Sequence, residues 1–243
     1  DHQVIYFGEV ASQVGGASGQ AGTLALQYPL QPGDANTFEP PALGLGRTYY
    51  WRVDGATGGD SSAVSPGEVW SFTVADHLVI DDFEAYDLKE HFLYEAWQTR
   101  GRADMSIEQG IAHSCRQSML FQYHYDAALS SEVVCTFEEP QDWARLAARV
   151  LQLALRGTAG NATEGQMYVA IGDGQTEQRV PYTGDMGILA DPQWHACRIV
   201  LTDFNNVNLA NVTSITIGLH PATTDPQERG MGTIYVDDII LRP

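Results

Sequence analysis

The near-absence of helical periodicity is what most narrows the folds open to this chain. An apolar stripe at i, i+3, i+4 is suggested only over residues 86–97 and 142–149, and both stretches are short. Elsewhere apolar residues alternate with polar ones, or run in brief β-branched and aromatic stretches broken by Gly, Pro, Asn and Asp. A period of two sends successive side chains to opposite faces of a sheet, so these stretches predict strands. We place them at 3–7, 48–53, 69–74, 118–125, 132–137, 149–156, 167–172, 195–201, 214–220 and 233–241. Strands at this density predict an all-β chain built of packed sandwiches.

Charge removes two classes of partner. With 13 Lys+Arg against 31 Asp+Glu the formal charge is −18, which repels nucleic acid and anionic membrane alike. At 44% hydrophobic the chain has the apolar content for real cores, and this excludes general disorder. No run approaches the roughly 18 apolar residues of a membrane span. The opening DHQVIYFGEV has neither the basic nor the apolar region of a signal peptide, so the chain is expected to be processed or excised.

The three cysteines, Cys115, Cys135 and Cys197, cannot close a disulfide framework. They are read either as small thiols on strands or as one bridge plus one free thiol. No GxSxG, HExxH, P-loop or Cys–His pattern occurs, and no EF-hand loop, so no enzyme is expected.

Composition shifts near Ala75 and Asp76, where long Gly- and Ser-rich loops give way to dense strands, and the expected domains are 1–75 and 76–243. In the first, Leu45-Gly46-Arg47-Thr48-Tyr49-Tyr50-Trp51-Arg52-Val53 is followed by Gly67-Glu68-Val69-Trp70-Ser71-Phe72-Thr73, with His2-Gln3-Val4-Ile5-Tyr6-Phe7-Gly8 ahead of both. This set resembles a fibronectin type III-like, Ig-like sandwich of the kind found in large secreted proteins of planctomycete-type bacteria. The opening strands of that pattern are missing. The resemblance therefore implies a partial sandwich, which either is completed by another segment or by a neighbouring chain, or folds without those strands; Trp51 and Trp70 are read as core residues.

The second domain opens on Val79-Ile80-Asp81-Asp82-Phe83-Glu84 and closes on Tyr235-Val236-Asp237-Asp238-Ile239. Between them lie Pro140-Gln141-Asp142-Trp143, Leu151, Leu153, Leu155, Tyr168-Val169-Ala170-Ile171, Trp194 and Ile215-Thr216-Ile217-Gly218. The ordered set is similar to galactose-binding-like β-jelly-roll modules that bind carbohydrate. The resemblance implies that the first and last strands meet, bringing their acids together. It also implies a structural Ca2+ held by Glu84 and Asp237 with Asp82 or Asp238, although such acids also serve as exposed strand ends. Trp97, Trp143 and Trp194 are read as core or loop anchors, Trp143 being the most exposed of them.

Alternation then nominates a sugar groove. With Leu151, Leu153 and Leu155 inward, Gln152 and Arg156 face out; Met167, Val169 and Ile171 inward leave Tyr168 out; Ile215, Ile217 and Leu219 inward leave His220 out. On 118–125 the parity is ambiguous. If Met119, Phe121 and Tyr123 are core, Gln122 and His124 join the groove and Tyr125 stands at its rim. Aromatic rings stack on sugar C–H faces and planar side chains meet hydroxyls, so the expected function is non-catalytic polysaccharide binding by an extracellular accessory module. The alternative is a structural subunit of a surface layer, adhesin or filament, assembled by strand complementation.

Overall fold

The computed structural model describes residues 2–17, 26–30, 37–56, 64–87, 89–144, 147–223, 225 and 227–243. Contacts divide the chain into two compact units, Asp1–Asp76 and His77–Pro243. Both are built on strands.

The smaller unit contains β1 (His2–Gly8), α1 (Ala11–Gly16), β2 (Leu26–Leu30), β3 (Thr48–Ala56), β4 (Val64–Ser65) and β5 (Trp70–Thr73). They form one sheet in the order β2-β1-β3-β4, with β5 also paired to β3. Val4 and Tyr6 pack with Val14 of α1 and with Ala17 to make a small core on one face. The opposite face carries Phe7 stacked on Tyr49 at 5.3 Å and Trp51 stacked on Trp70 at 6.5 Å. Trp70 was expected inside and is 57% exposed, because β5 is an outer strand of the sheet and all four of its residues face solvent.

The larger unit contains β6 (Leu78–Asp81), α2 (Leu93–Ala96), β7 (Trp97–Gly101), β8 (Asp104–Gln109), β9 (Gln117–Asp126), β10 (Ser131–Gln141) and β11 (Val150–Arg156). They are followed by β12 (Gln166–Gly172), β13 (Glu177–Pro181), β14 (His195–Val200), β15 (Val212–His220) and β16 (Arg229–Arg242). One sheet runs β13-β12-β15-β10-β7; the other runs β14-β11-β16-β9-β8, with β6 also paired to β16. Their inner faces share one core, to which β9 gives Met119 and Phe121, β10 Val133, β11 Leu151 and Leu153, and β15 Ile215 and Ile217. The first and last strands meet as expected, antiparallel, with Asp81 opposite Ile239 and Leu78 opposite Leu241.

Of the helical stretch at 86–97 only α2 forms, one turn long. The candidate at 142–149 includes residues 145 and 146, which lie outside the described residues. Trp97 and Trp143 are both fully buried; Trp143 is thus held inside rather than exposed, its indole N–H donating to Gln141 Oε1 at 2.8 Å. Cys135 and Cys197 are buried free thiols, each raised by burial to a pKa of about 12, and Cys115 is exposed and free.

Candidate functional site

The two sheets present two outer faces, and the nominated sugar residues divide between them. Tyr168 (β12) and His220 (β15) lie on the outer face of the five-stranded sheet, their rings 5.4 Å apart. Gln152 and Arg156 lie on β11, and Gln122 and His124 on β9, in the other sheet. They face the opposite side of the sandwich, so no single groove holds all of them. Two strands can share a parity and still belong to different sheets, which alternation alone does not reveal.

On the second outer face Gln152 is nearly buried and accepts from Arg198 Nε at 3.0 Å. Arg156 lies over the Tyr235 ring at 6.0 Å. Gln122 and His124 line a depression of about 550 Å3 with Arg102, Asp104 and Thr233. Tyr125 is not at a rim: it continues the inward parity of Met119, Phe121 and Tyr123 and is fully buried. Its ring sits where a Cβ on Gly165 or Gly230 would come within 2.4 Å of its Cζ, so those two glycines make room for it.

The first outer face is the more elaborate. Cross-strand register sets Arg100, Glu132, Gly218 and Tyr168 side by side across β7, β10, β15 and β12, and sets Val134, Thr216, Ala170 and Arg179 in the neighbouring row. Tyr168 lies flat over Gly218, where a Cβ would stand 2.3 Å from the tyrosine Cζ. Its hydroxyl donates to Glu132, and the Arg179 guanidinium covers its other side, 3.9 Å from the ring centroid. Arg179 Nη2 also donates to Glu132 Oε1 at 3.1 Å. Burial, reinforced by the Glu132 carboxylate, pushes the Tyr168 hydroxyl well above the ordinary phenol range.

Tyr168 is 0% exposed, so it is not the open aromatic platform that alternation nominated. The sheet also curls. Edge strands β7 and β13 are four spacings apart, about 19 Å if flat, yet Arg100 and Glu177 from those edges approach to 4.0 Å over the face. Beneath them Thr216 is 1% exposed, and its hydroxyl has no hydrogen-bond partner.

Three of the four seam acids, Glu84, Asp237 and Asp238, converge on loop 110–116 between β8 and β9; Asp82 does not reach it. Glu84 Oε1 accepts from the Arg116 and Gln117 N–H groups at 2.7 and 2.9 Å, and Oε2 from Arg116 Nε at 3.0 Å. Asp237 is fully buried and its Oδ2 accepts from the His113 and Ser114 N–H groups at 2.8 and 3.2 Å. Asp238 accepts from Ser114 Oγ at 2.9 Å and lies 2.5 Å from His113 Nδ1, while Asp82 accepts from the Glu84 N–H. This donor set does not fit a resident Ca2+, because N–H groups point positive charge to where a cation needs oxygen ligands. Among the described residues no group of three or more His, Cys, Asp or Glu could hold a metal. The acids clasp a loop.

The clasp carries a pH dependence. Burial opposes ionisation of Glu84, but the N–H groups of Arg116 and Gln117 and the Arg116 side chain outweigh it and hold its carboxyl below the ordinary range. A depressed carboxyl contributes stability above its unfolded pKa and loses it as pH falls through the folded one. For Asp237 burial wins over its N–H donors and the carboxyl is raised, so its contribution runs the other way and fades as pH rises. Glu84→Gln is therefore expected to flatten the loss of stability below about pH 4. Acid titration of hydrogen exchange at residues 113–117 checks this, and an unchanged profile in the variant would refute it.

No known sequence family and no curated protein matches the chain. Solved structures resemble it at low identity. The family 11 carbohydrate-binding module of the cellulosomal cellulase Lic26A-Cel5E of Clostridium thermocellum is 13% identical over 68% of this chain and 94% of that one, with a TM-score of 0.47. The Clostridium thermocellum family 11 module in complex with a β-1,3-1,4-mixed-linked tetrasaccharide matches to the same TM-score. A β-1,2-glucanase from Parabacteroides distasonis is 17% identical, over 61% of this chain but 23% of the enzyme, at a TM-score of 0.47.

Proposed function

We propose that the His77–Pro243 unit is a non-catalytic, extracellular glycan-binding module, and that sugar sits on the outer face of β13-β12-β15-β10-β7. The Thr216 hydroxyl carries the reading. It is buried in the middle of that face without a partner, and an unsatisfied buried hydroxyl costs about 1–3 kcal/mol, which a ligand hydroxyl relieves. Around it Arg179, Glu132, Arg100 and Glu177 offer the planar donors and acceptors that neighbouring sugar hydroxyls bond in pairs.

The face is partly roofed by its own side chains, and the strength of that roof decides whether it blocks a ligand. Arg100 and Glu177 are 57% and 42% exposed at 4.0 Å. A pair of that kind is worth about 0–1 kcal/mol, so a glycan displaces it at small cost. Glycoside hydrolysis needs one of two carboxyls protonated and facing the other across the bond. Here Glu132 faces Arg179 and Glu177 faces Arg100 rather than each other across a gap, which favours binding over cleavage.

Affinity electrophoresis against a panel of soluble glycans tests the reading. Thr216→Val is expected to weaken retention about tenfold, the equivalent of one hydrogen bond, while leaving the melting temperature unchanged or raised. Arg179→Ala is expected to abolish retention. Wild-type retention by both variants on every retained glycan would sink the proposal. A second reading, assembly by strand complementation, is favoured by one observation in the smaller unit, the exposure of Trp70 and Phe72 on β5.

A further inference from the structure

The sandwich of the larger unit is unsealed at one corner. β10 pairs with β7 only from Ser131 to Cys135, since Trp97 is the first residue of β7, and residues 136–138 run on beyond it. The single turn of α2 fills part of the gap and β6 flanks it, leaving a cavity of about 440 Å3. That is the size of a small-molecule cleft.

Its walls are aromatic, from Tyr86, Phe92 and Phe137, and its polar residues are chiefly acids: Asp82, Glu95 and Glu138. Among the described residues that line it there is no Lys or Arg, and His91 is the one basic side chain against four acids. Asp81 closes the back. Its carboxylate accepts from Tyr86 Oη and Trp97 Nε1, both at 2.7 Å, and from the Phe83 N–H at 2.8 Å.

We propose that this cavity is a second binding site, separate from the glycan face, and that it takes an organic cation with an apolar body. Ring faces attract an ammonium or guanidinium electrostatically while desolvating its hydrocarbon. The carboxylates supply the counter-charge that desolvation requires. A neutral apolar molecule would gain the walls but leave the acids unused, and an anion would be repelled by them. A glycan brings neither the charge nor the apolar body, so this site stands or falls independently of the reading above.

Benzylammonium and its neutral analogue benzyl alcohol separate the alternatives. Both are titrated into the whole chain while NMR follows the Trp97 indole N–H, which reports through Asp81, and the amide of Cys135. Benzylammonium is expected to shift both signals saturably and to bind roughly fivefold or more tightly than the alcohol, an advantage that shrinks at high salt. Glu95→Gln combined with Glu138→Gln is expected to remove that advantage. Both acids are exposed, and the Glu95 contact with the Phe92 N–H survives in glutamine, so the variant keeps its fold. Equal binding of cation and alcohol, an affinity unchanged in the double variant or at high salt, or no saturable shift at all would overturn the proposal.

Discussion

Tyr168→Ala is expected to destabilise the His77–Pro243 unit by about 3–5 kcal/mol, the range for removing a fully buried aromatic ring. The ring is held on three sides: by Gly218 beneath, by the Arg179 guanidinium above, and by Glu132 at its hydroxyl. Alanine would empty the space over Gly218 and leave Glu132, itself nearly buried, with Arg179 and the Ser130 hydroxyl as its remaining side-chain partners. Tyr168→Phe separates the two contributions, since it keeps the ring and removes only the hydroxyl; its expected cost is about 1–3 kcal/mol. Urea denaturation of both variants measures the difference. A loss under about 1 kcal/mol for Tyr168→Ala would mean that the ring lies free on the surface, available to stack on sugar as alternation first suggested. The same result would remove the buried frame on which the Thr216 argument rests.

Strand positions were legible wherever one face of a strand meets the core. The alternation of Leu151, Leu153 and Leu155, or of Ile215, Ile217 and Leu219, follows from burial on a single side, and both sets are buried in the structure. Alternation missed six strands, β2, β4, β6, β7, β8 and β13, of which β6 was expected from the resemblance alone, and the reason is visible in them. Most are short edge or outer strands: β6 has four residues, β4 two, and β7 buries only Trp97 of its five. An edge strand has little buried face to pattern, so its sequence carries little period-two signal.

The site was legible only in pieces, for a related reason. Alternation assigns a side chain to inward or outward, yet the sandwich has two outward faces, and nothing local in Gln152 or Arg156 says that β11 lies opposite β12. Arg100, Glu132, Glu177 and Arg179 were passed over although they shape the face more than the nominated residues do. Their grouping depends on β10 lying between β7 and β15 and on β13 closing the far edge, and both are long-range facts of topology. Glu84 and Asp237, from the two ends of the larger unit, meet the same loop. That they grip a loop through N–H donors follows from the path of residues 110–116, which no motif announces.

The second large effect belongs to the smaller unit. Asp54→Ala is expected to cost about 3–5 kcal/mol, because it strands a buried arginine. Arg52 and Asp54 sit two apart on β3, on the same face, and are buried together. Arg52 Nε and Nη2 reach Asp54 Oδ1 and Oδ2 at 2.7 and 2.8 Å in a two-pronged contact, while Nη1 and Nη2 donate to the Gly15 and Ala17 carbonyls, both at 2.6 Å. Asp54 Oδ1 accepts the Gly67 N–H at 3.0 Å as well, so the pair ties the C-terminal end of α1 and the approach to β5 to the middle of the sheet. A unit of this length is stable by roughly 4–11 kcal/mol in all, and its core on that face is four residues. Losing Asp54 therefore removes a large share of its margin. The expected result is near-complete loss of hydrogen-exchange protection along β3 in Asp54→Ala. Replacing both partners, Arg52→Met with Asp54→Leu, is expected to recover much of it, since no charge is left unpaired. Full protection of β3 in the single variant would show that α1 and the sheet hold together without this pair.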